Sequence, residues 1–190
     1  MSIEPKPTWP TPPPDGWTAD DLDTLPDLPP HTELIDGSLV FVSPQTKFHL
    51  RTIRVLDNGL LRTVPADLEV LREFTIVLGK HQRPEPDVIV AKAEADTGPE
   101  QTKCAAADVL LAVEVVSPDS VERDRETKPL KYAKAGIPHF WRVESNRGKP
   151  VVHVYALDAA RDTYHLTGIY HDRLKLSVPY DIDIDLDASR

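Results

Sequence analysis

Cysteine is almost missing: Cys104 stands alone in 190 residues. One thiol cannot form an intramolecular disulfide framework or a cysteine-based zinc site. Positive charge is also short, with 22 Lys and Arg against 31 Asp and Glu, a net charge of −9 and a pI near 5.2. That balance excludes a protein that coats nucleic acid through a broad basic surface, while leaving room for a local basic cleft. No apolar run approaches the ~20 residues that cross a bilayer, and the N-terminus lacks the apolar core of a signal peptide. The expectation is a soluble cytoplasmic protein. There is no phosphate-cradling glycine loop. Ser43, Ser117 and Cys104 lack an evident histidine–acid arrangement, so nucleophilic catalysis has no support.

Proline, by contrast, is abundant and uneven. Nine of the 19 prolines lie within the first thirty residues. The reading is a flexible, proline-rich arm over residues 1–17, from which Trp9 and Trp17 can dock, followed by a single domain over residues 18–190. Thr18–Leu25 opens with a capping threonine and early acids, which predicts a short helix. Asp36-Gly37 sits between two apolar stretches in Thr32–Val42 and predicts a hairpin. His49, Ile53, Leu56 and Leu60 recur at helical spacing in Thr46–Val64, a helix expected to be interrupted at Asn58-Gly59. Strand-like pieces follow at Leu68–Leu71, Phe74–Leu78 and Asp87–Ala91. Lys92–Ala107 reads as a polar connector. After the central unit, Pro150–Leu157, Thr163–Tyr170 and Arg173–Val178 suggest a meander. In Tyr180–Asp187, isoleucine and leucine alternate with aspartate, the pattern of a one-sided strand with an acidic outer face.

The central unit is Val109–Glu144. Val109–Val116 is an apolar run interrupted by one charge, Glu114. A strand of this kind is buried on both faces, where a carboxylate costs several kcal/mol (roughly,) unless it is paired or binds a metal. A helix ending at Gly136 and a second apolar strand, His139–Val143, complete a parallel strand–helix–strand crossover. Pro129 predicts that the regular helix starts near Glu126 or Thr127, with Asp124 just before it and Lys128 in its first turn. Asp87 leads a strand that can neighbour the one carrying Glu114. Two carboxylates on adjacent strands can share a hard divalent cation such as magnesium. The alternative is that Asp87 is a loop acid and Glu114 a buried, paired one.

Taken together, Pro86-Asp87, Glu114-Val115-Val116-Ser117-Pro118, Asp124, Lys128, Tyr132, Gly136 and the closing Phe140-Trp141-Arg142-Val143 strand resemble the Uma-type restriction-endonuclease family of the PD-(D/E)XK nuclease superfamily. The resemblance covers roughly Glu33–Trp141. It implies an α/β (α+β) fold: a restriction-endonuclease-like mixed central sheet flanked by helices, here with a C-terminal β meander. It also implies a magnesium- or manganese-dependent endonuclease acting on DNA. Asp87, Glu114 and the backbone carbonyl of Val115 would be metal ligands. The superfamily's usual lysine position is occupied by Val116, so the lysine falls to Lys128 on the following helix, with Lys131 and Lys134 as rivals. Glu33 matches a further acidic position facing the site. Tyr132 would pack or support the lysine; His49 lies where the family often has a histidine after a Ser-Pro, and is read as helix packing or capping in preference to catalysis. Arg51, Arg54, Arg83, Arg123, Arg125 and Lys128 are candidates for local phosphate contacts. A homodimer would suit an enzyme that cuts both strands. Two other readings stand beside this one: a nuclease-like fold that binds or assembles without cutting, and a metal-dependent hydrolase of small substrates.

Overall fold

The computed structural model describes residues 10–189, so Trp9 and the first nine residues of the arm lie outside it. The Trp17 N–H donates to the Gly37 carbonyl (2.8 Å), tying the end of the arm to the first hairpin. Instead of a regular α-helix, Asp21–Asp23 forms one 3-10 turn, in which the Asp21 carboxylate accepts from the Thr18 N–H (2.7 Å) and hydroxyl (2.8 Å). The hairpin forms as its turn residues demand. β1 (Glu33–Ile35) and β2 (Ser38–Val40) pair across Asp36 and Gly37, both at positive φ (50° and 72°).

Thr46 caps α1 (Lys47–Leu61) by accepting the His49 N–H at 3.2 Å. This helix runs unbroken through Asn58-Gly59, because Gly59 is where another element makes its closest approach. A Cβ there would lie 2.5 Å from the Ile184 Cγ1. Next come β3 (Leu68–Arg72), β4 (Thr75–Val77) and β5 (Val88–Lys92). The segment read as a polar connector contains β6 (Lys103–Ala105), which pairs in parallel with β4. Then follow β7 (Val109–Val115), α2 (Lys128–Lys134), β8 (His139–Asn146), β9 (Lys149–Asp158), β10 (Thr163–Tyr170), β11 (Arg173–Leu176) and β12 (Ile182–Asp185).

Six strands form one mixed sheet in the order β10-β9-β8-β7-β5-β3. Only the β7–β8 pair is parallel, as the crossover through α2 requires. One face packs against α1 and the β11–β12 hairpin through Ile53, Leu56, Leu60, Ile182 and Ile184. The other packs against α2 through Tyr132, Ile137 and Phe140. β5 and β7 are covered on both sides, which accounts for their near-continuous apolar sequence. The tail alternates as expected: Ile182, Ile184 and Leu186 are buried while Asp181, Asp183 and Asp185 face solvent.

The helical path begins before α2, upstream of the start that the proline suggests. The chain is helical from Val121, and Arg123–Thr127 makes a wide π-turn in which the Lys128 N–H reaches the Arg123 carbonyl, five residues back. In a regular α-helix the Pro129 ring would collide with the carbonyl four residues earlier. Widening the preceding turn accommodates it, and Asp124 thereby lies inside the helical segment.

Candidate active site

The register of the sheet determines which acids meet. Val88 pairs with Val113, so β5 begins beside the C-terminal end of β7. Just before β5 begins, the Asp87 side chain takes over the ladder: its Oδ2 accepts the Val115 N–H at 2.6 Å. Asp87 lies two residues before Ile89 and Glu114 two after Ala112, and both of those apolar residues pack with Tyr132. By strand alternation the two acids share the α2 face of the sheet.

Glu114 is 3% exposed. Its Oε1 accepts from the Tyr132 hydroxyl (2.5 Å) and from the Lys128 ammonium (3.1 Å), and its Oε2 accepts from the same ammonium (3.1 Å). Tyr132 thus supports the glutamate and not the lysine. Lys128, also buried, lies 2.9 Å from Glu33 Oε1 and 3.5 Å from Asp124 Oδ1. Glu33 is held in place by the Glu85 N–H (2.8 Å), and Asp124 Oδ2 accepts from the Ser120 hydroxyl. His49 Nε2 sits 3.1 Å from Asp87 Oδ1. Asp87, Glu114, Val115, Lys128 and Glu33 therefore all line one cleft of about 400 Å³. The rival Lys131 instead pairs with Asp36 at 2.6 Å, outside this cleft.

Three groups of the cleft play a larger part than the sequence reading gave them. Asp124 joins the ring around Lys128, and its i, i+4 spacing was the available signal. His49, read as helix packing, touches Asp87; helical periodicity alone does not separate those roles. Ser120, which engages Asp124, carried no signal in the sequence.

Acid outweighs base here. The cleft is lined by Glu33, Glu73, Glu85, Asp87, Glu114, Asp119 and Asp124, against the permanent cations Arg123 and Lys128. Burial raises the Glu114 carboxyl well above its ordinary range. The Lys128 ammonium pulls it back only in part, because Asp124, Asp87 and Glu33 add further repulsion. Asp124 is raised for the same reasons. Burial alone would lower Lys128, but Glu114, Glu33 and Asp124 outweigh it, so its ammonium is held well above the usual lysine range. Burial, reinforced by Glu114, also raises Tyr132 and keeps its hydroxyl protonated as a donor.

Among the described residues no three His, Cys, Asp or Glu side chains converge as a ready-made metal cage. Magnesium does not need one: it commonly takes one or two carboxylates and fills its shell with water and substrate phosphate. The donors fit that pattern. Asp87 Oδ1 and Oδ2 each make one contact, and Glu114 Oε2 accepts one hydrogen bond. Each of these oxygens keeps a free lone pair. Asp124 Oδ1 is buried without a hydrogen-bond donor, and only the Lys128 ammonium at 3.5 Å faces it.

A comparison with curated proteins finds no match. Among solved structures, the chain is similar to one described as "a putative nuclease belonging to DUF820" from Anabaena variabilis. The two share 18% identity at a TM-score of 0.60, over 85% of this chain and 89% of that one. At that identity the likeness is one of fold. The mixed α/β architecture described above is thus a fold this chain shares with that structure. No helix among the described residues is long and apolar enough to cross a membrane. Residues 19–188 match the family model Uma2, described as "Putative restriction endonuclease", and the chain belongs to that family.

Proposed function

We propose that this protein is a divalent-metal-dependent endonuclease that hydrolyses DNA phosphodiester bonds, with Asp87, Glu114 and Lys128 at its centre and Glu33 in support. The observation that carries this reading is the bond from the Val115 N–H to Asp87, which holds Asp87 against the strand of Glu114, the acid bonded to the buried Lys128 ammonium. Asp87, Glu114 and the Val115 carbonyl would hold magnesium or manganese. Once bound, such an ion offsets charge on the phosphate and lowers the pKa of a water. The chain's own residues do the rest. His49 and the Val115 N–H orient Asp87, and the Tyr132 hydroxyl orients Glu114. Glu33 and Asp124 keep Lys128 charged and immobile, so that it can align a nucleophilic water or meet the charge that develops on a phosphate oxygen. Residues 18–190 would act as one domain, and a twofold dimer would present a cleft to each strand.

The test is nicking of supercoiled plasmid with Mg²⁺ or Mn²⁺. Glu114→Gln and Asp87→Asn should each lower the rate at least ~100-fold, the scale of losing a major transition-state contact, and should weaken Mn²⁺ binding in calorimetry. Unchanged nicking in both variants would refute the assignment. One observation favours a second reading, a module that binds without cutting: the Lys128 ammonium is already shared among three carboxylates. Mn²⁺ and duplex binding by the wild type with no cleavage would select it.

A further inference from the structure

Six basic residues were candidates for phosphate contact, and the structure separates them. Arg83 is buried and serves the fold: it donates to the Ala19 carbonyl (3.0 Å), Asp23 (2.7 Å) and the Thr75 hydroxyl (3.1 Å). Arg125 forms a fork with Glu144 (3.1 and 2.5 Å). Lys128 is enclosed by its three acids. Arg51 and Arg54 project from α1 into solvent and do not line the cleft. Arg123 is different. It lines the cleft, and among the described residues no carboxylate pairs with it. Its Nε is buried and has no acceptor.

A buried N–H without an acceptor carries a desolvation penalty and is uncommon in folded proteins. The surplus of acids nearby makes the omission more telling, since seven carboxylates line the cleft and none engages this cation. An arginine fork matches the paired oxygens of a phosphate. We propose that Arg123 binds a phosphate of the nucleic-acid strand, one that flanks the phosphate being cut. The inference rests on the nuclease reading and specifies how the cleft holds its substrate. The wide turn Arg123–Thr127 carries both this arginine and Asp124, the partner of Lys128, so one element sets substrate grip and lysine placement together.

The experiment is fluorescence-anisotropy titration of a labelled short DNA duplex with the full chain, in Ca²⁺ and over a series of salt concentrations. Arg123→Gln should weaken binding about tenfold and make the slope of log K against log salt shallower by about one phosphate contact. Arg123→Lys should recover part of the loss. Arg161→Gln, an exposed arginine on the β9–β10 turn, should stay within about twofold of wild type. The melting temperature of Arg123→Gln should hold or rise, because an unsatisfied group is removed. Duplex binding by the wild type that Arg123→Gln leaves unchanged in affinity and salt slope overturns this assignment alone. A loss of binding that comes with a fall in melting temperature of several degrees assigns Arg123 a structural role and also overturns it. Absence of duplex binding by the wild type overturns the nuclease reading with it.

Discussion

Removing the Lys128 ammonium would leave Glu33, Glu114 and Asp124 buried around an empty centre. Breaking a buried ion cluster by deleting one partner typically costs about 3–5 kcal/mol, and here a single cation serves three acids. Lys128→Met should therefore destabilise the protein by about 3 kcal/mol near neutral pH in denaturant titrations. Most of that loss should disappear toward acid pH, where Glu114 and Asp124, both raised by burial, take up protons, and in the double variant Lys128→Met/Glu114→Gln. A loss that does not change with pH would place the cost in packing instead. At this scale the sequence was readable where one residue contradicted its surroundings. Glu114 stood out as the only charge in an apolar strand, and the structure supplies partners for it. His49 did not stand out, because its helical spacing accounts for its burial as well as its contact with Asp87 does. Arg123 was one of several surface arginines until the pairing of the others was visible.

Elements were legible where local chemistry decides them and less so where distant contacts do. The Asp36-Gly37 turn and the parallel crossover followed from turn preference and strand spacing. Gly59 was read as interrupting its helix and Pro129 as setting the start of the next one near Glu126 or Thr127, and the chain is helical through both. Gly59 lets α1 approach β12, and the π-turn over Arg123–Thr127 makes room for the proline ring. β6 was missed because three residues paired only with another short strand leave almost no pattern. The Gly59 contact gives a direct check. Alanine is favoured over glycine in a helix interior by about 1 kcal/mol, so helix propensity alone predicts that Gly59→Ala stabilises. Because the added methyl would meet the Ile184 side chain at 2.5–2.9 Å, Gly59→Ala should instead destabilise by about 1–3 kcal/mol, read from the urea midpoint at constant m. A higher midpoint would mean that Ile184 repacks freely and that the close approach does not explain the glycine.

For the whole molecule, the net charge of −9 and the acid surplus of the cleft belong to one electrostatic pattern. A DNA strand approaching this cleft is repelled until bound cations offset the carboxylates, so duplex affinity should depend on divalent ions beyond simple screening. The same surplus predicts a pH dependence of folding. Burial raises Glu114, Asp124 and Glu85 above their ordinary values of 4.5, 3.8 and 4.5. Between those values and the raised ones the folded chain holds more protons than the unfolded chain, so stability falls as pH rises. His31, raised by its hydrogen bond to Glu85, adds to the fall above about pH 6.5. Half-buried His139 and His153 are lowered by partial burial and act in the opposite sense, because folding keeps them neutral where the unfolded chain would protonate them. The net slope is thus mixed, and the contribution of the site is isolated by difference. Without divalent ions, the melting temperature of Glu114→Gln minus that of wild type should increase as pH rises from about 5 to 8. Mg²⁺ or Mn²⁺ should then stabilise the wild type by up to about 2.7 kcal/mol at a hundredfold excess over Kd. Glu114→Gln should lose most of that stabilisation, because it removes a charge that both the proton and the metal would neutralise. A wild-type protein stabilised equally at every pH, or a Glu114→Gln variant stabilised as fully by the metal, would show that Glu114 is a buried structural acid and that the ion binds elsewhere.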